Sequence, residues 1–389
     1  MTIEDLFAEA YPNGFSKDNV KYIERSNAEI ASINYTSGTT GFSKGVITPA
    51  NALAGNILFG FKTGLVYPGC RHVAFLPLAH AYGCAFDFLA CLAAGGHTHL
   101  IGRTPSPKIL MKAFAEVKPT LILSVPLILE KIYKKVIQPQ ISRTAVSWVL
   151  KMPLLDKVVL NKIRETLVNA FGGEFSEIII GGAPLNAEVE AFLKRLKFPL
   201  TVGYGMTETA PLISFAHWDK FKSQSCGQVL DGLMEVRIAS PDGDGVGEIQ
   251  VRGEHVMLGY YKNEQATKES FTEDGWLRTG DLGTVDADGF IFIKGRCKTM
   301  LLGASGQNIY PEEIEAKINN MPYVLESLVL QKDTKLVALV CPDFEAVDAD
   351  HLTQTQLEVL MEENRKLVNQ QLATYEQINE IRIFNHEFE

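Results

Sequence analysis

Runs of consecutive apolar residues alternate with segments of helical period through the first half of the chain. "HVAFLPL" (72–78), "THLI" (98–101), "PTLILSVP" (119–126) and "EIIIGG" (177–182) predict buried strands. Between them, Ser106 to Val117 and Leu185 to Leu196 carry apolar residues at helical spacing. This alternation predicts an α/β domain with a largely parallel sheet. From about residue 225 the texture changes. "MEVRIAS", "GEIQVRG" and "LGTVDADGFIFIKG" read as strands joined by Asp-Gly turns, so a small antiparallel β region follows. Beyond Gly295 come "PEEIEAKINNM", "YVLESLVL", "KLVALVCP" and a polar helix near 353–372. Pro311 followed by Glu312 and Glu313 is a sound helix start. The expected organisation is 1–224, an α/β core; 225–295, a β subdomain; and 296–389, a small α+β domain with no obvious closing element.

One stretch does not fit an ordinary turn. "INYTSGTTGFSKG" (33–45) is poor in large side chains and rich in hydroxyls, with a single lysine. Glycines let backbone N–H groups approach a phosphate, hydroxyls donate further bonds and the lysine adds charge. The order is not that of a Walker loop, which needs G-x-x-x-x-G-K-[ST]. A flexible surface loop is the plain alternative.

With 46% hydrophobic and 21% charged residues over 389, a globular core is readily formed, and the net charge of −9 argues against general nucleic-acid binding. Six cysteines (Cys70, Cys84, Cys91, Cys226, Cys297, Cys341) form no C-x-x-C pair, so a reducing, cytoplasmic setting is expected. Residues 127–164 depart from the average: eight Lys/Arg stand against Glu130 and Asp156, a local charge of +6, with Trp148, Val149 and Leu150 among them. A peripheral contact with anionic lipid at the inner membrane face would look like this, and so would a solvated helical hairpin. His97 and His99 alternate on one strand face, but with no third ligand in view a zinc site there is a poor reading.

Three further motifs accompany the loop: "GYGMTETAP" (203–211), "GWLRTGDLG" (275–283) and "FIKGRCKTMLLGASGQNIYPEEIE" (292–315). Taken together, in order and at this spacing, they resemble the AMP-forming acyl-CoA synthetases of the adenylate-forming superfamily. The long insert after Pro126 and the wording "FGGEFSEIIIGGAPLN" look most like long-chain fatty-acid–CoA ligases. The resemblance implies the adenylate-forming synthetase fold, with a large α/β core and a small mobile C-terminal domain. It also implies ATP or AMP, Mg²⁺ and coenzyme A as cofactors and co-substrate, with a fatty acid as substrate.

By that resemblance, Thr36, Ser37, Gly38, Thr39, Thr40, Gly41 and Lys44 grip the ATP phosphates. Thr207 suits the α-phosphate, and Glu208 suits Mg²⁺ because hard cations prefer oxygen ligands. Tyr204 would stack on adenine, with Gly205 and Met206 beside it and Gly182, Ala183 and Pro184 lining the other face; a core tyrosine is the alternative. Asp281 would accept both ribose hydroxyls, since an ionised carboxylate only accepts; a plain Thr279-Gly280-Asp281 turn is the alternative. Arg296 would reach ribose or phosphate, and Lys298 matches the family's hinge. Gly303, Ser305 and Gly306 belong to a turn that swings in for thioester formation. His80 matches a histidine beside the acyl-adenylate, against the alternative of a satisfied core residue. Catalytic roles are thus expected of Thr207, Glu208, Lys44 and His80. Family members also carry a further subdomain before the loop and a lysine in a later P-K-x-x-x-G-K-like segment. Neither is found here, so a fragment of a longer protein with impaired adenylation is expected. An aryl- or short-acyl-CoA ligase, and a non-catalytic nucleotide-binding remnant, remain the other readings.

Overall fold

The computed structural model describes all residues except 1, 22–25, 37–42, 103–104, 138–140, 142–155, 304–306, 334, 387 and 389. Ser37, Gly38, Thr39, Thr40, Gly41, Ser305 and Gly306 therefore lie outside the described residues, as does Trp148 to Leu150 of the basic stretch.

The apolar runs become parallel strands, with one correction: the run 98–101, expected to be buried, overlaps the strand His97–Leu100, whose residues are exposed except for half-buried Thr98. Ile122–Ser124, Ile178–Ile180 and Leu200–Val202 pair in that order, all three fully buried. Arg71–Ala74 pairs in parallel with His97–Leu100. The helices Pro107–Val117, Pro126–Val136, Asp156–Ala170 and Ala187–Arg195 are interleaved with these strands along the chain. Two of these starts are capped by a side chain: Ser106 accepts from the Ile109 N–H, and Asn186 accepts from Glu188 and Val189. Leu110 and Phe114, one turn apart, are completely buried.

The antiparallel region follows as four strands, Met234–Ala239, Gly247–Gly253, Leu277–Val285 and Ile291–Arg296. A separate hairpin, Ile30–Thr36 with Lys44–Pro49, opens the chain's first sheet and takes Gly259–Tyr260 as its third strand. Its last paired residues are Thr36 and Lys44, so the hydroxyl-rich stretch is the hairpin's connection.

Buried apolar residues fall into two clusters. One runs from Val46 to Ile291; the other, from Ile309 to Ile378, holds the C-terminal helices Pro311–Ile318 and Gln354–Asn369 against strands Val324–Lys332 and Lys335–Pro342. One expectation is corrected here. The C-terminal lobe does have a closing element, the strand Ile378–Ile383, which pairs in parallel with Lys335–Pro342. Only Ile378 of its six residues is buried, so its sequence lacks the apolar run that marks the other strands. Among the described residues, no helix is long and apolar enough to cross a membrane.

Candidate functional site

The segment Tyr204 to Thr209 is where the motif residues meet. It leaves the C-terminal end of Leu200–Val202 as the short strand Tyr204–Gly205, then turns through the 3-10 helix Thr207–Thr209. Glycine is required at 205, because an added Cβ would collide with the Pro211 carbonyl oxygen. The Met206 N–H donates to that same carbonyl at 2.9 Å, closing the return. The tight turn sends Glu208 into the interior, where the residue is 9% exposed.

An uncompensated buried carboxylate costs several kcal/mol, so its partners matter. Glu208 Oε1 accepts from the Tyr260 hydroxyl at 2.7 Å, and the Glu208 carbonyl accepts from Met257 N–H at 2.8 Å. Tyr260 faces Val46 across the hairpin sheet, and its ring lies 4.8 Å from Lys44 Nζ, a cation–π separation. Lys44, at the end of the hydroxyl-rich connection, is thus joined to Glu208 through one aromatic ring. Burial, with the Glu208 charge beside it, pushes the Tyr260 phenol well up. Tyr260 stands 52 residues from Glu208 in the chain, and nothing in its local sequence marks it.

Asp281 is held on the other flank. The strand Leu277–Val285 buries Leu277, Thr279 and Asp281 in alternation. Between the pairs Gln250–Arg278 and Glu248–Leu282 it carries more residues than its partner, with Gly280 at φ +74°. Thr279, Gly280 and Asp281 therefore form a bulge inside a strand rather than a connecting turn, and the bulge aims the carboxylate inward. Asp281 Oδ2 accepts from the Tyr204 hydroxyl at 2.6 Å, and Oδ1 pairs with Arg296 Nε at 3.0 Å. Arg296 is the cross-strand neighbour of Asp281. Burial raises the Asp281 carboxyl above its ordinary value, although Tyr204 and Arg296 both pull it down.

These contacts place the other motif residues as follows. Tyr204 is buried in the main core, and its hydroxyl is committed to Asp281. Its hydroxyl helps to position that carboxylate. Gly182, Ala183 and Pro184 are exposed at the C-terminal end of Ile178–Ile180, while Gly203 N–H donates to Ile180 O at 2.9 Å. The "GGAP" turn and the Tyr204 segment are therefore adjacent at the carboxyl edge of the parallel sheet, where α/β folds bind ligands. Thr207 is half-buried beside Glu208. His80 is exposed in the turn after Arg71–Ala74, which rules out the satisfied core histidine. The neighbouring Ala79 carbonyl accepts from Asn34 Nδ2 at 3.0 Å, so this turn abuts the hairpin. Lys298 sits exposed in the turn between Ile291–Arg296 and Leu301–Leu302, at the passage from one buried cluster to the other. His97 and His99 are exposed.

The Glu208 carboxylate is a hard oxygen donor, which fits Mg²⁺. Glu208 Oε1 already accepts from Tyr260, yet an ionised carboxylate offers about four acceptor positions.

A family model described as "AMP-binding enzyme" matches residues 4–261. Over 345 residues the chain is 33% identical to the long-chain-fatty-acid–CoA ligase FadD15 of Mycobacterium bovis, covering 82% of this chain and 55% of that protein. It is 28% identical to the human long-chain-fatty-acid–CoA ligase ACSBG1, covering 82% of this chain and 48% of the relative. The chain spans about half the length of the curated relatives it matches. Among solved structures, ATP-bound MatB from Rhodopseudomonas palustris superposes with a TM-score of 0.71 at 26% identity, covering 94% of this chain and 66% of that one. The adenylation domain of a carboxylate reductase from Mycobacterium chelonae shares the fold at a TM-score of 0.76 and 23% identity, over 94% of this chain and 56% of that one.

Proposed function

We infer the function from one premise, that the chain belongs to the AMP-binding enzymes, and propose that it activates a long-chain fatty acid with ATP. In the first step a fatty-acid carboxylate oxygen bonds to the α-phosphorus as the bond to pyrophosphate breaks. In the second, the thiol sulfur of coenzyme A bonds to the acyl carbon and AMP leaves with the C–O electron pair. The observation that carries this reading is the two-sided role of residues Tyr204 to Glu208. One end holds Asp281 through the Tyr204 hydroxyl, and the other presents Glu208 beside Tyr260 and Lys44.

Asp281 accepts the ribose hydroxyls, with Arg296 sharing the carboxylate and reaching the nucleotide. The exposed Arg296 can turn toward the ligand, and the Tyr204 hydroxyl still donates to the buried Asp281 carboxylate. Lys44, with Thr36, Ser37, Gly38, Thr39, Thr40 and Gly41, neutralises the β- and γ-phosphates. Thr207 donates to the α-phosphate as negative charge gathers there, where prearranged donors lower the barrier most. Glu208 would hold Mg²⁺, which when bound supplies further charge neutralisation to the phosphates. Gly182, Ala183, Pro184, Gly205 and Met206 form the walls of the adenine cleft, and exposed His80 stands at the acyl side. Lys298 is the pivot about which the C-terminal lobe turns for thioester formation.

Pyrophosphate release from ATP, measured across a series of carboxylic acids of increasing chain length, tests the reading. Release that rises with a long saturated acid is the expected result. Release with aryl or short acids alone would reassign the substrate, and nucleotide binding by calorimetry without turnover for any acid would leave a binding module. Exposed Lys131 and Lys134 on the helix Pro126–Val136 support a contact with anionic lipid. Sedimentation with anionic vesicles that is unchanged in the double variant K131E/K134E would refute it.

A further inference from the structure

A second polar cluster lies away from the nucleotide side, within the main core. Cys70 immediately precedes the strand Arg71–Ala74, and His72 is two residues on, so their side chains leave the same face of the chain. Asp87 and Cys91 are about one turn apart on the helical run that begins at Gly83, π-helical through Ala90 and continued by Cys91–Ala93. Strand face and helix face meet. Cys70, His72 and Cys91 are 0% exposed and Asp87 1%.

The distances are those of a ligand set. The Cys70 and Cys91 sulfurs are 3.8 Å apart, and one donor atom each from Cys70, His72 and Cys91 lie within 4.8 Å of one another. Among the described residues this is the one group of His, Cys, Asp or Glu side chains so arranged. His72 Nδ1 stands 3.5 Å from Asp87 Oδ1, an ion-pair separation with no hydrogen bond. Both ring nitrogens of His72 and both carboxylate oxygens of Asp87 are buried without a hydrogen-bond partner. Beyond that ion pair, His72 Nε2 and Asp87 Oδ2 are left without a partner, which is costly in an apolar core and calls for a ligand. Glycine at 96 keeps the space open, since an added Cβ would stand 2.5 Å from Cys70 Sγ and 2.8 Å from Cys91 Sγ.

We propose that Cys70, His72 and Cys91 bind a zinc ion, with Asp87 behind the histidine, its Oδ1 3.5 Å from His72 Nδ1, where it orients the ring. A tetrahedral zinc with bonds of about 2.3 Å to sulfur sets its two sulfurs about 3.8 Å apart. That separation is already present in the fold. Paired thiolates and an imidazole select a borderline-soft ion over Mg²⁺ or Ca²⁺. Binding releases the two thiol protons to solvent, and the two thiolates neutralise the dication. The ion would clamp the strand Arg71–Ala74 to the helical run from Gly83, and the turn between them carries His80.

The test is metal loading of the whole chain, produced without a metal-binding tag in cells grown on zinc- or cobalt-supplemented medium. Elemental analysis is expected to find one zinc per chain after exhaustive dialysis. The cobalt form is expected to show a thiolate-to-metal charge-transfer band and the intense visible bands of tetrahedral cobalt. Cys91→Ser is expected to lose both signals and Cys226→Ser to keep them. Should Cys91→Ser fail to fold, the wild-type cobalt spectrum alone decides. Zinc at background levels with no thiolate–cobalt band, or bands that persist in a folded Cys91→Ser variant, would overturn the proposal. A Cys70–Cys91 disulfide recovered from metal-free protein prepared without reductant would overturn it equally.

Discussion

Two buried polar clusters of the main core solve the problem of burying charge differently. In the Tyr204 cluster every carboxylate has a donor: Asp281 has Tyr204 and Arg296, and Glu208 has Tyr260. In the Cys70 cluster the histidine and the aspartate have only each other, at 3.5 Å and without a hydrogen bond. A cluster that satisfies itself is preorganised: its carboxylates are held where a ligand's hydroxyls or a cation would meet them, and the held form is stable before the ligand arrives. A cluster left unsatisfied within matching distances completes its bonding only by taking in something else.

Removing the charge at Glu208 is the strongest way to break that contrast. Glu208→Gln keeps an acceptor for Tyr260, so the fold should stand. The rate of pyrophosphate formation is expected to fall on the order of 100-fold, as when a group acting on developing charge is lost, while nucleotide binding by calorimetry falls much less. Equal losses in both would make Glu208 a binding residue only. Asp281→Ala is expected to weaken nucleotide binding by about 1.5–3 kcal/mol, the usual worth of hydrogen bonds to a charged group. Tyr204→Phe, which leaves the carboxylate but removes its positioning donor, should cost less, about 0.5–1.5 kcal/mol. If Tyr204→Phe cost as much as Asp281→Ala, Tyr204 would be touching the nucleotide itself.

Crowding the other cluster tests its packing. Gly96→Ala forces a methyl against both sulfurs and is expected to destabilise the chain by about 1–3 kcal/mol in denaturant unfolding. Gly102→Ala, with no atom near its added Cβ, is the control. A neutral Gly96→Ala would mean the two sulfurs can separate freely.

Glu315 sharpens the comparison as an intermediate case, a partly buried carboxylate whose Oε1 accepts only from the Val329 N–H among the bonds seen. Burial, with Glu312 nearby, pushes its carboxyl up to about 7 against that one bond. The folded state therefore holds this proton more tightly than the unfolded chain. The stabilisation is fully present below the ordinary value of 4.5 and is lost as pH rises through about 7. Glu315→Gln is expected to stabilise the protein above that range by about 1–2 kcal/mol, discounted for partial exposure, and to be nearly neutral in mild acid. A thermal-unfolding gain that did not depend on pH would refute the assignment.

Much of the architecture was legible in one dimension. Uninterrupted apolar runs marked the buried parallel strands, Ser106 marked a helix start, and Asp-Gly pairs marked the antiparallel turns, because each signal is local and repeats along the chain. The strand Ile378–Ile383 escaped notice because five of its six residues are partly or fully exposed and its pairing partner is some forty residues away. The motif residues were nameable, but Tyr260 was not: its whole relevance is a hydroxyl on Glu208 and a ring under Lys44. The Cys70, His72, Asp87 and Cys91 set was hidden for the same reason. Cys-x-His on a strand and Asp-x-x-x-Cys on a helix are each unremarked spacings until the two elements pack.

Spacing, period and residue type by themselves determined which segments are strands and helices, and which glycines, hydroxyls and carboxylates could serve a nucleotide. Those properties depend on neighbours within a few residues. The tertiary structure alone decided which side chains satisfy one another. A bulge at Gly280 aims Asp281 at Tyr204, and a third strand brings Tyr260 to Glu208. Hydrogen bonds and ion pairs act over about 3 Å in space, and only the folded chain sets which residues stand that close.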